Sequence, residues 1–194
     1  MPILGVIASS NYQRVTDTGA MFPLGMVQVG SGGSSTVSFT SIPATYTHLQ
    51  LRILSATDRA TYALDNVFVT FNGDSSANYS HHFLQGDGAS ASAGGSSNET
   101  NVRSGSTSSS AAPNVFSASV FDILDYKNTN KYKTVRSLSG FDLNGTVSGI
   151  GGFIQLYSGN WRSTSAITSI TLNRQSGSNF IQYSSFALYG IKGA

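Results

Sequence analysis

Few residues in this chain are of a type and spacing that could do chemistry. Its carboxylates are Asp17, Asp58, Asp65, Asp74, Asp87, Glu99, Asp122, Asp125 and Asp142. A glycosidase would need two of them facing each other across a cleft, about 5 to 9 Å apart. Asp122 and Asp125 are the nearest pair that also has an aromatic neighbour, Tyr126. They fall where a strand should run into a turn, a usual place for solvated aspartates. His81-His82 invites a metal reading, with Asp74 or Asp87 as a third ligand. Adjacent residues of a strand point to opposite faces, so the two imidazoles cannot easily share one ion. The expectation there is one packed and one exposed ring. His48 alternates away from the apolar residues of its segment and suits a polar contact better than a general base.

Other reactive groupings are missing. No Gly-x-Ser-x-Gly elbow is present to activate a serine. Gly30-Ser31-Gly32-Gly33 and Gly149-Ile150-Gly151-Gly152 are glycine-rich, yet neither opens a helix that could cradle a phosphate. The chain has no cysteine, which excludes disulfides, thiolate zinc sites and cysteine nucleophiles. The expectation is a protein that is not an enzyme and holds no metal or cofactor. One binding constellation stays open. Trp161, with Tyr157 and Arg162 nearby, is either a sugar-stacking platform or a tryptophan packed at a turn with the guanidinium across its face.

The elements that would position these residues are strands. In the segment from Ser41 to Arg52, Pro43 fixes its own φ and pushes Ile42 toward extended geometry. Beyond it Leu49, Leu51 and Ile53 alternate with His48, Gln50 and Arg52, the period of a strand with one buried face. Similar segments are expected at about 24–29, 35–40, 46–55, 66–71, 80–84, 115–124, 133–141, 149–158, 166–173 and 180–190, the first two as a hairpin. Turn signals such as Asn72-Gly73-Asp74, Asn144-Gly145 and Ser158-Gly159-Asn160 separate them. No helix-period segment competes. Residues 86–113 are dominated by Ser, Gly and Ala and are expected to be a long surface loop, ordered by a neighbouring subunit if at all.

Composition agrees with that layout. At 194 residues the chain suits a single domain. Only 10% of its residues are charged, against an ordinary share of about 25%, so hydroxyls and amides do the solvating. A net charge of +2 is too small for a nucleic-acid partner. The one basic cluster, Lys127, Lys131, Lys133 and Arg136, is diluted by Asp122 and Asp125 and reads as a solvated strand edge guarded by lysines. The apolar start Ile3-Leu4-Gly5-Val6-Ile7-Ala8 lacks a basic flank and is short for a signal core. No stretch approaches the roughly 20 apolar residues that span a bilayer. Synthesis in a cytoplasm and no membrane partner are expected. Residues 1–20 read as an N-terminal docking arm whose Ile3, Leu4, Val6 and Ile7 would gain order on a partner, and 21–194 as one β domain.

Several segments together resemble a known group. They are Pro2 to Ser10, Ser41 to Arg52, Phe71-Asn72-Gly73-Asp74 followed by Asn78-Tyr79-Ser80, Asp122-Ile123 with Asp125-Tyr126, and the closing Ser185 to Ile191. In these the chain resembles the small β-rich structural proteins of tailed bacteriophage virions, over nearly its whole length. The resemblance implies an all-β, jelly-roll-like antiparallel β-sandwich, a homotrimer, and a place on the virion surface. It supplies no reactive residues. Two roles follow from it. A capsid decoration or cement protein, partnered by the major capsid protein, suits one domain with a docking arm. A tail-fibre or tail-tip protein would contact other tail proteins and host glycan, with either residues 86–113 or the turn of Tyr157, Trp161 and Arg162 as the sugar contact. The chain lacks the heptads or collagen-like repeats of a long fibre, which favours decoration.

Overall fold

Alternation sets the architecture. The segment Leu64–Phe71 buries every second residue, Asp65, Val67, Val69 and Phe71, and the segment Ser117–Leu124 does the same with Ser117, Ser119, Phe121 and Ile123. Such strands are half-buried by construction and must pair sideways and pack on one face. The computed structural model describes residues 21–147, 149–177 and 179–192. Among them are twelve strands: β1 (Met21–Gln28), β2 (Thr36–Phe39), β3 (His48–Thr57), β4 (Leu64–Phe71), β5 (Tyr79–Gly86), β6 (Ala91–Glu99), β7 (Val102–Ser109), β8 (Ser117–Leu124), β9 (Lys133–Val147), β10 (Ile150–Trp161), β11 (Ile170–Arg174) and β12 (Ser185–Ile191).

They form an all-β sandwich, as the strand pattern predicts, with more strands than the ten expected. The larger sheet runs β1-β12-β3-β8-β9-β10-β5-β6, antiparallel throughout. The smaller runs β2-β11-β4-β7. A short parallel pairing of Ala56 and Thr57 with Ser108 and Ser109 ties β3 to β7, where the two sheets meet. Between the layers lie Leu49, Leu51, Phe121, Ile123, Phe186 and Leu188 from the larger sheet, against Val37, Val67, Val69, Phe71, Ile170 and Leu172 from the smaller. Each large side chain so buried contributes roughly 1.5–3 kcal/mol before ordering costs.

Three expectations are corrected. Residues 24–29 and 35–40 do not form a hairpin: β1 pairs with β12 and β2 with β11. The Gly30–Gly33 turn, closed by the Gly33 N–H on the Gly30 carbonyl at 3.0 Å, instead carries the chain from one sheet to the other. The region 86–113 is not a surface loop, because β6 and β7 occupy most of it and β7 is buried from Ser104 to Ser109. Several of its polar groups are satisfied from across the sandwich, while the hydroxyls of Ser104 and Ser108 are buried without a partner. Thr107 Oγ1 donates to the Ser55 carbonyl at 2.7 Å, and the Ser108 N–H donates to Ser117 Oγ at 2.6 Å. Lys133 is not part of a solvated edge; it is fully buried. Its ammonium donates to the carbonyls of Asn128 (2.6 Å), Lys131 (3.1 Å) and Thr164 (3.1 Å), and burial, with the nearby Lys131, pulls its pKa below the ordinary lysine value. Three converging carbonyls explain how a charge survives there.

Candidate functional site

Trp161 ends β10 and is only 2% exposed. It stacks on Tyr79 with centroids 6.2 Å apart and tilts against Phe71 at 5.5 Å. Its indole N–H donates to Asp74 Oδ2 at 2.8 Å, and that oxygen also accepts from Asn78 Nδ2 at 2.7 Å. The Tyr79 hydroxyl donates to the Asp74 carbonyl at 2.9 Å. Burial pushes the Tyr79 phenol up to about 12. Burial also disfavours the Asp74 carboxylate, but the Asn78, Ser76 and Trp161 hydrogen bonds outweigh it and hold its pKa at about 2. The glycan platform is therefore corrected. Tyr157 is likewise 2% exposed, so neither ring offers a face to a sugar. Arg162 is exposed and bridges the approach to β5 and the end of β6, donating to the Ala77 carbonyl (2.9 Å) and Asn98 Oδ1 (2.8 Å).

The remaining candidates are placed apart or committed to local contacts. Asp122 lies on the outward face of β8, where it accepts from Gln50 Nε2 at 2.8 Å and Arg136 at 3.1 Å. Asp125 sits just past the strand at a φ of 49° and pairs with Lys131, which draws its pKa below the ordinary aspartate value. The Asp125 N–H donates to His48 Nδ1 at 2.9 Å, so His48 makes a polar contact. His81 is buried and His82 exposed, on opposite faces of β5 as their adjacency predicts. Burial, reinforced by Arg103, pulls the His81 pKa down. Asp87 folds onto its own turn, accepting from the N–H groups of Ala89 (2.9 Å) and Ser90 (2.7 Å). Ile3, Leu4, Val6 and Ile7 lie outside the described residues.

The unusual surface is the outward face of the larger sheet. In the middle of β8, β9 and β10 the ordinary polarity is inverted. Ser117, Ser119, Ser137, Ser139 and Gln155 point inward and are buried, while Val120, Leu138, Ile154 and Leu156 point outward and are exposed. Inside, these polar groups meet the hydroxyl-rich β7: the Ser106 N–H donates to Gln155 Oε1 at 2.6 Å, and Ser137 Oγ donates to the Ser104 carbonyl. Outside, pairing register brings the aliphatics into line. One row crosses the sheet as Met26, Ala187, Arg52, Val120, Leu138, Leu156 and Leu84. The next row carries Leu54, Ala118, Gly140 and Ile154. A groove of about 690 Å³ runs along them. At the strand spacing of about 4.8 Å, seven strands make a face roughly 30 Å wide. Arg52, the one cation in the row, turns its Nε to Gln50 Oε1 at 3.3 Å, toward the paired Asp122 and Arg136.

Sequence reasoning missed this face, although a signal was present. Leu138 stands between two serines and Leu156 between Gln155 and Tyr157. Alternation says that such residues share a face. It leaves open which face is inward, because nothing local marks the Ser-rich β7 as a polar layer within the sandwich.

No protein-family model and no curated protein matches the chain. Among solved structures, a xylan β-1,4-xylosidase from Bacillus halodurans aligns with 87% of this chain and 32% of its own, at 6% identity and a TM-score of 0.32. A botulinum neurotoxin type C structure described as interacting with two ganglioside molecules aligns over 91% and 42%, at 11% identity and a TM-score of 0.24. The VP2 subviral particle of infectious bursal disease virus aligns over 90% and 42%, at 13% identity and a TM-score of 0.14. The chain thus spans less than half the length of each, and similarities this distant carry no argument about what it does.

Proposed function

We propose that this chain is a non-enzymatic structural protein of a bacteriophage virion, a decoration protein that binds the assembled capsid shell and clamps neighbouring capsomers. The observation that carries this reading is the inverted polarity in the middle of β8, β9 and β10, which turns Val120, Leu138, Ile154 and Leu156 to solvent while Ser119, Ser137, Ser139 and Gln155 point inward. Contiguous apolar rows on an outer face mark a surface built to be covered. An eight-stranded sheet face suits an extended partner such as a shell. A protein that binds the assembled lattice and not its free subunits stabilises that lattice by mass action, and many copies make modest individual affinity sufficient. In this reading the protein is made in the host cytoplasm, and three copies gathered at a shell symmetry axis present three such faces to the major capsid protein. Ile3, Leu4, Val6 and Ile7 supply a second anchor. The tail-tip alternative has lost its sugar platform, since Tyr157 and Trp161 are interior.

Electron cryomicroscopy of purified virions tests the proposal. Regular copies across the shell, with the larger sheet turned toward the capsomers, are expected. Density confined to the tail, or absent from the particle, overturns it.

A further inference from the structure

Exposed strand edges invite pairing with other chains, and folded proteins blunt them with proline, charge, bulges or brevity. Three edges here obey that rule. β1 carries Pro23 and a register shift between Pro23 and Gly25. β2 is only four residues long. β7 closes onto β3 at Ser108 and Ser109. β6, the far edge of the larger sheet, is unguarded from Ala91 to Ser97; its one irregularity is a bulge at Asn98, which takes a φ of 58° where the pairing with β5 shifts. It is nine residues long, Ala-Ser-Ala-Gly-Gly-Ser-Ser-Asn-Glu, with no proline and no charge before Glu99.

Two glycines in the middle of the strand lie under rings of β5. A Cβ added to Gly94 would lie 2.9 Å from Phe83 Cζ, and one added to Gly95 would collide with the His82 ring. Rings from β5 therefore cover both glycines, one on each face of the sheet, and offset the disorder that glycine brings to a strand. The hydrogen-bond phase is set at the hairpin, where the Asp87 N–H donates to the Ser90 carbonyl at 3.2 Å. Continuing the register makes Gln85 with Ser92, Phe83 with Gly94 and His81 with Ser96 the bonded pairs. The N–H and C=O groups of Ala91, Ala93, Gly95 and Ser97 consequently point away from β5.

We infer that β6 is the contact through which this chain pairs with a second copy of itself, antiparallel about a two-fold axis at Gly94. That register sets Ala91 opposite the partner's Ser97 and Ala93 opposite the partner's Gly95, giving about eight interchain hydrogen bonds. The outward groups complement themselves in this register, and the facing side chains are too small to clash. Gly94 meets its own copy at the axis, where Cα atoms of a non-bonded pair approach to about 4.5 Å. No like charges oppose one another, because Glu99 lies beyond the paired residues and is bonded to Ser96 Oγ. The two eight-stranded sheets become one, and Ala91 and Ala93 continue the apolar rows across the junction. This pairing does not depend on the capsid reading. If another contact makes trimers, the same edge joins them in pairs.

Light scattering on the purified chain is the test, with Ala93→Pro and Ser97→Lys as variants. Proline at 93 removes an outward N–H and spares the β5 ladder, and lysine at 97 guards the edge with charge. Wild type should show an even number of 20.4 kDa chains, and both variants half that mass, still melting cooperatively but at a temperature less dependent on protein concentration. Hydrogen exchange should show the amides of Ala93, Gly95 and Ser97 protected in wild type and unprotected in Ser97→Lys. A wild-type monomer or trimer overturns the inference, as does a mass unaltered by both variants. So does a dimer in which those amides exchange freely.

Discussion

At the scale of single residues the resemblance motifs turn out to be joints. Asn72 Oδ1 accepts from the N–H groups of Thr168 (2.8 Å) and Ser169 (3.1 Å) and ties the turn after β4 to the approach to β11. Tyr126 is buried and its hydroxyl donates to the Pro43 carbonyl, fixing the turn that opens β3. Asp74 gathers Asn78, Ser76 and Trp161 onto one carboxylate. Replacing it by Asn turns an acceptor partly into a donor aimed at other donors, and should cost about 1–3 kcal/mol in a denaturant titration. The acid limb should change as well. The folded carboxyl titrates at about 2 against an ordinary 3.8, so as pH falls the unfolded chain takes up the proton first. The stabilisation is complete above about pH 4 and vanishes below about pH 2. Asp74→Asn should flatten the stability–pH curve within that window. Equal slopes in both proteins would mean that Asp74 does not hold the joint.

At the scale of elements the instructive case is β7. Composition could not reveal it, since Ser, Gly and Ala offer no apolar face and the segment looked unable to bury anything. What it buries is polar group against polar group: Ser55 Oγ lies 2.8 Å from Thr107 Oγ1, and the Ser106 N–H donates to Gln155 Oε1 at 2.6 Å. Those partners lie far off in sequence, so the pairing is a tertiary fact that no local pattern records. The aliphatic strands were legible because period-2 alternation is local; β3 and β8 fell close to where alternation put them. The small side chains also set the spacing. Gly105 sits at a φ of 121° beside a register shift in β4–β7 pairing, and an added Cβ would fall inside Ser139. Gly105→Ala should therefore cost about 3 kcal/mol or more by urea unfolding. Gly73→Ala is the control, with a φ of 69° and no atom within 4 Å of an added Cβ, where about 1 kcal/mol is expected. Equal losses would remove close packing of β7 as the cause.

At the scale of the whole molecule, the inverted strands make one argument out of two observations. Serines inside are tolerable because β7 answers them, and aliphatics outside become tolerable when a partner covers them. Attachment to a shell through that face should then be nearly indifferent to salt. Raising ionic strength from about 0.1 to 1 M shortens the Debye length from about 10 to 3 Å and weakens exposed charge pairs, but leaves apolar burial intact or slightly strengthened. The nearby charges are already spent on each other, Arg136 on Asp122 at 3.1 Å. Leu138→Lys separates docking from folding. With Leu138 at 53% exposure, the substitution should change stability by no more than about 0.5 kcal/mol. It nonetheless places an unpaired ammonium in the centre of the row, where desolvating it without a partner is costly. Co-sedimentation with shells at low and high salt reads both effects: wild type bound in each, the variant free in each. Binding that collapses at high salt would shift the contact to the charged rim of Asp122 and Arg136, where neutral apolar docking does not put it.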